Sequence, residues 1–304
     1  MRRSVRGLTV AALSLLVTGC GASPGDNSAR AGNEQSLTVS AIPDQDPERL
    51  QRQFGAIADY LAETLDVTVR YVPVTDYTAS VTGFRRGDLD LVFFGGLTGV
   101  QARLQVPGAQ PIAQRDIDAE FRTVFIAHSP TGIAPLDAVS DLAALTKYSF
   151  TYGSESSTSG RLMPQHFLEE AGVTTTDFSR QPGFSGSHDA TIKLVEAGTY
   201  QVGALNAAVW DDRLKGGKVD TAKVTEIFRT PTYHDYHWLL RPDGDERFGA
   251  GFTERVKEAL LSIDGADARE REILELFQCS SFIASEPGNY AQIEAVARST
   301  GLIK

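Results

Sequence analysis

The hydrophobic positions of the chain follow two spacings that alternate along its length. Residues 36–42, 67–71 and 90–94 are short apolar or alternating runs, and they predict three strands. Between them, apolar residues recur every three or four positions over 50–65 and 77–84, which predicts amphipathic helices. This β-α-β-α-β order is typical of an α/β protein in which helices flank a mostly parallel sheet.

The alternation continues in the second half of the chain. Further strands are predicted at residues 121–127, 148–152 and 201–205, and further helices at residues 101–105, 189–197 and in three stretches within 246–299. A second extended stretch over 227–240 indicates that the chain crosses twice between two α/β units. We therefore expect two lobes joined by two hinge strands, one lobe from residues 36–127 and 235–304 and the other from 128–234.

The first twenty residues carry the pattern of a secreted lipoprotein. Three arginines within the first six residues precede an apolar run over 8–17, about half of the ~20 residues that a membrane-spanning helix needs. A Val-Thr-Gly-Cys sequence, which resembles a bacterial lipobox, places cleavage before Cys20 and diacylglycerol on its thiol. We expect a signal peptide over 1–19 and a lipidated, flexible tether over 20–35 that holds the protein at the extracytoplasmic face of the cell membrane.

Composition and charge narrow the class of partner. The 304 residues include 29 Lys and Arg against 39 Asp and Glu, a formal net charge of −10, which becomes −13 when the three arginines of the leader are removed. An acidic chain without a basic tract argues against binding to nucleic acid. Two cysteines cannot form a disulfide framework, and Cys279, with Cys20 lipidated, is expected to be a small buried hydrophobe.

Candidate chemistry is concentrated in the stretch Gly-Ser-Glu-Ser-Ser-Thr-Ser-Gly at 153–160, which follows a predicted strand and precedes a predicted helix. The first N–H groups of a helix have no partner within it, and the macrodipole adds partial positive charge there. With the hydroxyls of Ser157, Thr158 and Ser159, these groups form a set of neutral donors suited to a compact oxyanion. The alternative is a helix N-cap, for which a single Ser or Thr would be enough.

Three further segments carry groups suited to the same site. Gly96 and Thr98 lie in a strand-to-helix turn where glycine lets the backbone approach a ligand, although packing explains such a turn equally well. His188 begins another apolar helix that Ser187 could cap, and a structural role for this His is the alternative. A carboxylate at Asp235 would accept a hydrogen bond only from a protonated oxyanion, whereas the alternative for its aromatic-rich stretch is hinge packing.

Four segments occur in the order found in a known family. They are the sequences at 74–77, 90–95, 157–160 and 186–190, and the likeness spans residues 37–283. The chain resembles the substrate-binding lipoproteins of phosphate, phosphite and phosphonate ABC importers, which have the two-lobed type II periplasmic-binding fold. At residues 42–47 and 95–102 it resembles in particular the selenate-binding branch of that family.

The resemblance implies a set of ligand-binding residues. In that family the residues matching Tyr77, Ser157, Thr158, Ser159 and His188 bind the phosphonyl oxygens. Together with the turn and the returning crossing, the expected ligand-binding residues are Tyr77, Gly96, Thr98, Ser157, Thr158, Ser159, His188 and Asp235. The stretch that begins at Asn206 lacks the carboxylate of aminoalkylphosphonate binders, which favours a smaller ligand and leaves phosphite, phosphonate, phosphate and selenate open.

We therefore expect a monomeric, lipid-anchored protein that delivers a small oxyanion to a membrane permease and its ATPase, without a cofactor, a metal or catalysis. The alternatives are a ligand-sensing lipoprotein for a signalling partner and, more remotely, an enzyme on the same fold. The sequence has no Walker A motif and no His-Glu-x-x-His motif, and residues 183–187 depart from the nucleophile elbow. His234 and His237 point to opposite faces of a predicted strand, which disfavours a metal site there.

Overall fold

The computed structural model describes residues 35–303, which include eleven strands and ten helices. The strands are β1 (Ser36–Ala41), β2 (Thr68–Tyr71), β3 (Leu91–Phe94), β4 (Gln110–Arg115), β5 (Thr123–His128), β6 (Phe150–Tyr152), β7 (Gly183–Phe184), β8 (Val202–Asn206), β9 (Val224–Arg229), β10 (His237–Leu240) and β11 (Phe282–Ala284). The helices are α1 (Pro47–Leu65), α2 (Tyr77–Arg86), α3 (Gly96–Gln105), α4 (Met163–Glu170), α5 (His188–Glu196), α6 (Ala207–Lys215), α7 (Gly244–Phe248), α8 (Phe252–Leu261), α9 (Ala268–Phe277) and α10 (Ala291–Ser299). The predicted signal peptide, Cys20 and the tether before residue 35 lie outside the described residues. None of the described helices is long and apolar enough to cross a lipid bilayer.

The strands form two mixed sheets. In the six-stranded sheet, with the order β11-β4-β10-β3-β1-β2, β1 is parallel to β2 and β3, and β10 and β11 run against their neighbours. In the five-stranded sheet, with the order β7-β6-β8-β5-β9, β6 is parallel to β7 and β8, and β5 runs against both of its neighbours. Most strands of each sheet therefore run in one direction, which gathers their carboxyl ends at one edge.

Local sequence signals explain where the first helices begin and end. The carboxylate of Asp46 accepts the N–H groups of the first turn of α1, and Pro47 occupies the first position, where its missing N–H costs nothing. α2 ends at Gly87, which adopts a positive φ of 85° that closes the helix. The predicted apolar stripes of both helices form their buried faces.

The chain crosses between the sheets twice, and the two crossings pair with each other. Phe121 donates its N–H to the Tyr233 carbonyl at 2.9 Å, and Tyr233 donates to the Phe121 carbonyl at 3.0 Å. β5 follows the first crossing and lies in the five-stranded sheet, so the structure moves the expected lobe boundary from residue 127 to just before Thr123. The extended stretch predicted over 227–240 is two strands, because residues 230–236 form the second crossing between β9 and β10.

Other elements differ from the sequence pattern for identifiable reasons. The pattern does not predict β4, because its sequence Gln-Pro-Ile-Ala-Gln-Arg contains buried polar residues instead of a continuous apolar run. α3 begins at Gly96 instead of residue 101, since two N–H groups of its first turn find acceptors outside the helix. Four helices and β11, where three helices were expected, occupy residues 244–299. Cys279 follows α9 and is half-buried, and burial raises the pKa of its thiol to about 12.

Candidate ligand-binding site

The candidate residues lie where strands end. Tyr77 begins α2 after β2, and Gly96 begins α3 directly after β3. A π-helical turn over Thr158–Leu162 follows β6, and His188 begins α5 after β7. Asp235 lies in the second crossing. Because parallel strands share one carboxyl edge, these groups gather where the edges of the two sheets face each other.

The three hydroxyls of the serine-rich turn have three different roles. Ser157 caps the turn, since its Oγ accepts the N–H of Gly160 at 3.0 Å. The Oγ1 of Thr158 accepts the N–H of Leu97 at 3.0 Å and thereby joins the turn to the first turn of α3 in the other sheet unit. The Oγ of Ser159 is buried without a hydrogen-bond partner among the described residues. Capping therefore explains one hydroxyl of the three.

The hinge holds this turn in place. Thr123, the first residue of β5, donates its hydroxyl to the Ser159 carbonyl at 2.9 Å. The same hydroxyl lies 2.7 Å from the Tyr233 hydroxyl in the second crossing. Both crossings thus fix the backbone that presents the Ser159 hydroxyl.

Asp235 is the carboxyl group closest to the turn. Its side chain is fully buried, and its Oδ1 accepts the N–H of Gly96 at 2.9 Å. Its Oδ2 is buried without a hydrogen-bond partner in the described part of the chain. A Cβ on Gly95 would lie 3.2 Å from Thr158 Oγ1 and 3.3 Å from Asp235 Oδ1, so the glycine allows these walls to approach each other.

Tyr77 brings a third unsatisfied group to this place. Its hydroxyl is buried and has no well-oriented hydrogen-bond partner among the residues described. Burial, and then the nearby Asp44 and Asp235 carboxyls, raise the pKa of Tyr77 well above its usual value, with a smaller opposing effect from the Ser157 side chain. Tyr77 therefore stays protonated and can donate its proton.

Two predicted residues offer no free proton to a ligand. The N–H of Gly96 already donates to Asp235. The hydroxyl of Thr98 donates to the Gly95 carbonyl at 3.1 Å, a bond within the first turn of its own helix. The direct ligand contacts that the sequence predicts for Gly96 and Thr98 stay predictions.

His188 belongs to a network with three residues that the sequence pattern did not single out. The N–H of Asn206 donates to His188 Nδ1 at 3.4 Å, which places the ring proton on Nε2, 3.4 Å from the Tyr236 hydroxyl. Tyr236 donates to Asp44 Oδ2 at 2.7 Å and accepts a bond from Asn206 Nδ2 at 3.1 Å. The backbone N–H of His188 donates to the Asp44 carbonyl at 3.0 Å. Asp44 follows β1 at the same sheet edge, and this position after a strand is the feature of the sequence that could have identified it as a site residue.

Burial shifts the ionisable groups of the candidate site towards their uncharged forms. It lowers the pKa of His188 to about 4, so that the imidazole is uncharged near neutral pH. It raises the pKa of Asp44 to about 6 and that of Asp235 to about 7. A buried group favours its uncharged form when no opposite charge is close enough to compensate.

The nearby cation Arg115 is committed to another carboxylate. Arg115 donates to both oxygens of Asp118, at 2.8 and 2.6 Å, and its guanidinium carbon lies 4.9 Å from the centre of the Tyr236 ring. The carbonyl of Asp118 accepts the N–H of Asp235 at 3.1 Å. This buried pair supports the second crossing and leaves Asp235 without a cation of its own.

A buried cluster of neutral donors beside a carboxyl group is suited to a small oxyanion. Compared with known proteins, the chain matches the family described as "ABC transporter, phosphonate, periplasmic substrate-binding protein" over residues 39–290. The chain belongs to this family. It is therefore an extracytoplasmic substrate-binding component of an ABC importer, as the sequence predicts.

Individual members of the family cover most of the chain. The "Probable ABC transporter phosphite binding protein PhnD1" of Prochlorococcus marinus is 45% identical over 273 residues, which are 90% of this chain and 92% of that protein. The "Phosphonates-binding periplasmic protein" of Escherichia coli is 26% identical over 272 residues, 87% of this chain and 76% of that protein.

Solved structures confirm the two-lobed α/β periplasmic-binding fold. The structure of PhnD1 from Prochlorococcus marinus in complex with methylphosphonate has a TM-score of 0.87 at 46% identity. The match covers 89% of this chain and 100% of that chain. A binding protein component of an ABC phosphonate transporter from Pseudomonas aeruginosa has a TM-score of 0.75 at 18% identity, with 88% of this chain and 87% of that chain covered, and supports the fold alone.

The raised pKa of Asp235 predicts that the difference in stability between the Asp235→Asn variant and the parent protein depends on pH. Native Asp235 keeps its proton up to about pH 7, whereas the unfolded chain releases it near its ordinary pKa of 3.8, so the carboxyl lowers the free energy of unfolding as pH rises between these values. Without ligand, the free energy of unfolding of the variant should equal that of the parent near pH 4 and exceed it at pH 8. The difference should be at most about 4 kcal/mol, because each unit of pKa shift corresponds to about 1.4 kcal/mol. Urea unfolding at both pH values measures the difference. The exposed Asp59→Asn is the control, and an equal gap at both pH values would contradict the assignment.

Proposed function

We propose that the chain binds phosphite or a small phosphonate such as methylphosphonate, held by Tyr77, the turn over 157–159, Asp235 and the His188 network. The observation that carries the proposal is the buried, unpartnered state of Tyr77 Oη, Ser159 Oγ and Asp235 Oδ2. Buried polar atoms are costly without a partner, so a ligand that pairs with all three would offset that cost. The Prochlorococcus marinus relative, named as a phosphite binder and solved with methylphosphonate, supports the same choice.

The proposed ligand matches the inventory of groups. The hydroxyls of Tyr77 and Ser159 donate to anionic oxygens, and the first N–H groups of the turn add further donors. The carboxyl of Asp235 and the ligand share one proton, so a P–OH group can donate to Asp235 Oδ2. A fully ionised oxyanion such as sulfate or selenate brings no proton and would face an ionised carboxylate above about pH 7.

We further propose that the two sheet units act as lobes that close over this ligand. The lobes are residues 36–122 with 235–304, and 123–234. Bonds between the units at the site, from Leu97 N–H to Thr158 Oγ1 and from His188 N–H to the Asp44 carbonyl, support closure. The paired crossings at Phe121 and Tyr233 supply a short hinge.

The proposed role is delivery without catalysis, by a monomer attached to the membrane through Cys20. His188 contacts Tyr236 and Asn206 instead of a serine hydroxyl, which disfavours a serine nucleophile activated by this histidine. The lipobox pattern and the polar tether support the lipid anchor. The acidic surface supports the absence of a nucleic-acid partner.

The variants Tyr77→Phe and Ser159→Ala test the ligand site directly. Each removes a group with no hydrogen-bond partner in the described residues, so the stability of the ligand-free protein should change little. The affinity for phosphite should fall by roughly tenfold or more for each variant, because a hydrogen bond to a charged ligand is lost. Titration calorimetry measures the affinity.

Ser156→Ala, in the same loop but ahead of the three buried hydroxyl residues, is the matched control and should bind as the parent does. Unchanged affinity in both test variants would refute the site assignment.

Asp235→Asn tests the selection by ligand protonation. The amide can donate where the carboxylate could only accept, so at pH 8 the affinity for sulfate and selenate should rise by about tenfold relative to that for phosphite. Calorimetric titration of the anions into the parent and the variant gives the ratio, with Asp59→Asn as a control of equal charge. If the ratio of the affinity for sulfate or selenate to that for phosphite is the same in the parent and in Asp235→Asn, Asp235 does not select ligands by their protonation.

Cys20→Ser tests the lipid anchor. A serine carries no thiol for diacylglycerol, so the protein should move from the membrane fraction to the soluble fraction after cell breakage. Immunoblots of both fractions from the parent and the variant measure the shift. A parent protein already found entirely in the soluble fraction would disprove the anchor.

A further inference from the structure

A polar pocket beside the Asp44–His188 contact carries an excess of cationic side chains although the chain is acidic. It has a volume of about 200 Å³ and lies between α1 on one side and α5 and α6 on the other. Five cations and three carboxylates line it, whereas the whole chain has a net charge of −10. The pocket is therefore a local exception to the charge of the surface.

The carboxylates of the pocket are already bound within the protein. Asp46 caps α1, and Asp189 accepts the Arg213 guanidinium at 2.6 and 2.9 Å together with the Asp46 N–H at 2.9 Å. Glu196 accepts the N–H of Asp220 at 2.7 Å. Their negative charge is consequently directed towards internal partners.

Three of the cations are exposed and have no such partner. Arg52, Lys193 and Lys218 lie at the rim of the pocket, and within residues 35–303 none of them has a carboxylate at ion-pair distance. The other two, Arg49 and Arg213, bind Asp212 at 3.3 and 2.8 Å. The rim thus presents uncompensated positive charge to solvent.

The rim is assembled from both lobes. Arg52 lies on α1 of the lobe that contains the six-stranded sheet, whereas Lys193 on α5 and Lys218 after α6 belong to the other lobe. The contacts that hold the two sides together are the Asp46 N–H to Asp189 bond and the Arg49–Asp212 ion pair. Opening of the hinge would separate the three rim cations.

We propose that the rim cations Arg52, Lys193 and Lys218 form a docking surface for an acidic segment of the membrane permease, present only in the closed protein. The inference rests on the proposed closure of the lobes over a ligand. An importer has to distinguish loaded from empty binding protein, and a charge pattern completed by closure supplies that distinction. Exposed lysines fit a peptide carrying several carboxylates better than a lone inorganic anion, which buried, preorganised donors would hold.

The triple charge reversal Arg52→Glu, Lys193→Glu and Lys218→Glu tests the proposal. The measurement is ATP hydrolysis by the permease and ATPase in proteoliposomes, as a function of the concentration of phosphite-loaded binding protein. The concentration for half-maximal stimulation should rise by roughly tenfold or more, since three rim charges now repel the partner. The affinity for phosphite by calorimetry should stay within about twofold of the parent, because none of the three bonds across the lobes.

The triple variant Arg85→Glu, Lys147→Glu and Arg180→Glu is the control, as it makes the same charge change at exposed positions away from the pocket. Equal stimulation by test and parent proteins, or an equal loss in test and control, would overturn the proposal. If the test variant alone binds phosphite more weakly, or associates with phosphite at a lower and less salt-dependent rate, the rim cations attract the anion and do not bind the permease. Failure of the parent protein to bind phosphite would count against the proposed function, and the same ATP hydrolysis measurement with methylphosphonate in place of phosphite would then test the docking surface.

Discussion

The electrostatics of the candidate ligand site depend on the hydrogen bonds of the buried Arg115 guanidinium. Its guanidinium is committed to Asp118 and to the face of Tyr236, so the cation is compensated before it reaches the site. The Asp118 carbonyl accepts the backbone N–H of Asp235. The Arg115–Asp118 pair therefore positions Asp235, while the Arg115 guanidinium is bonded to Asp118 and not to the Asp235 carboxyl. In a medium of low dielectric constant such a carboxyl keeps its proton up to near neutral pH. A cation directed at Asp235 would lower its pKa and leave it ionised at neutral pH.

A candidate site whose donors are uncharged is compatible with an acidic protein. With a net charge of −10, long-range attraction does not bring an anion to this chain. Charges at the surface are screened within about 8 Å at physiological ionic strength, so the hydroxyl and N–H donors at the candidate site would decide the binding of an anion there. The selectivity of such donors depends on geometry and on the number of protons that the ligand brings. Oxyanions of similar shape can therefore be separated by their protonation.

The sequence predicts the parts of this site that are encoded locally. The hydroxyl run at 157–159, the glycines at 95 and 96 and the positions of Tyr77 and His188 after strands follow from short-range patterns, and the structure places all of them at facing sheet edges. The hydrogen bond between Tyr236 and Asp44 joins residues 192 positions apart, so no local spacing in the sequence predicts it. Thr98 shows the opposite limit, because its hydroxyl turns back to its own helix. β5 was expected in the wrong lobe because an apolar strand carries no mark of the sheet that it joins.

The contacts between the two sheet units differ in chemical kind between the candidate ligand site and the rim of the cationic pocket. At the candidate ligand site, the bonds from Leu97 to Thr158 and from His188 to Asp44 join uncharged groups in buried surroundings, where geometry decides their strength. At the rim, Arg49–Asp212 is a partly exposed ion pair, whose contribution is small and depends on salt. If the lobes close as proposed, the buried neutral bonds would contribute more to closure than this exposed ion pair. Arg52, Lys193 and Lys218 take no part in the hydrogen-bond network of the proposed ligand site, so the two proposed functions rest on different residues.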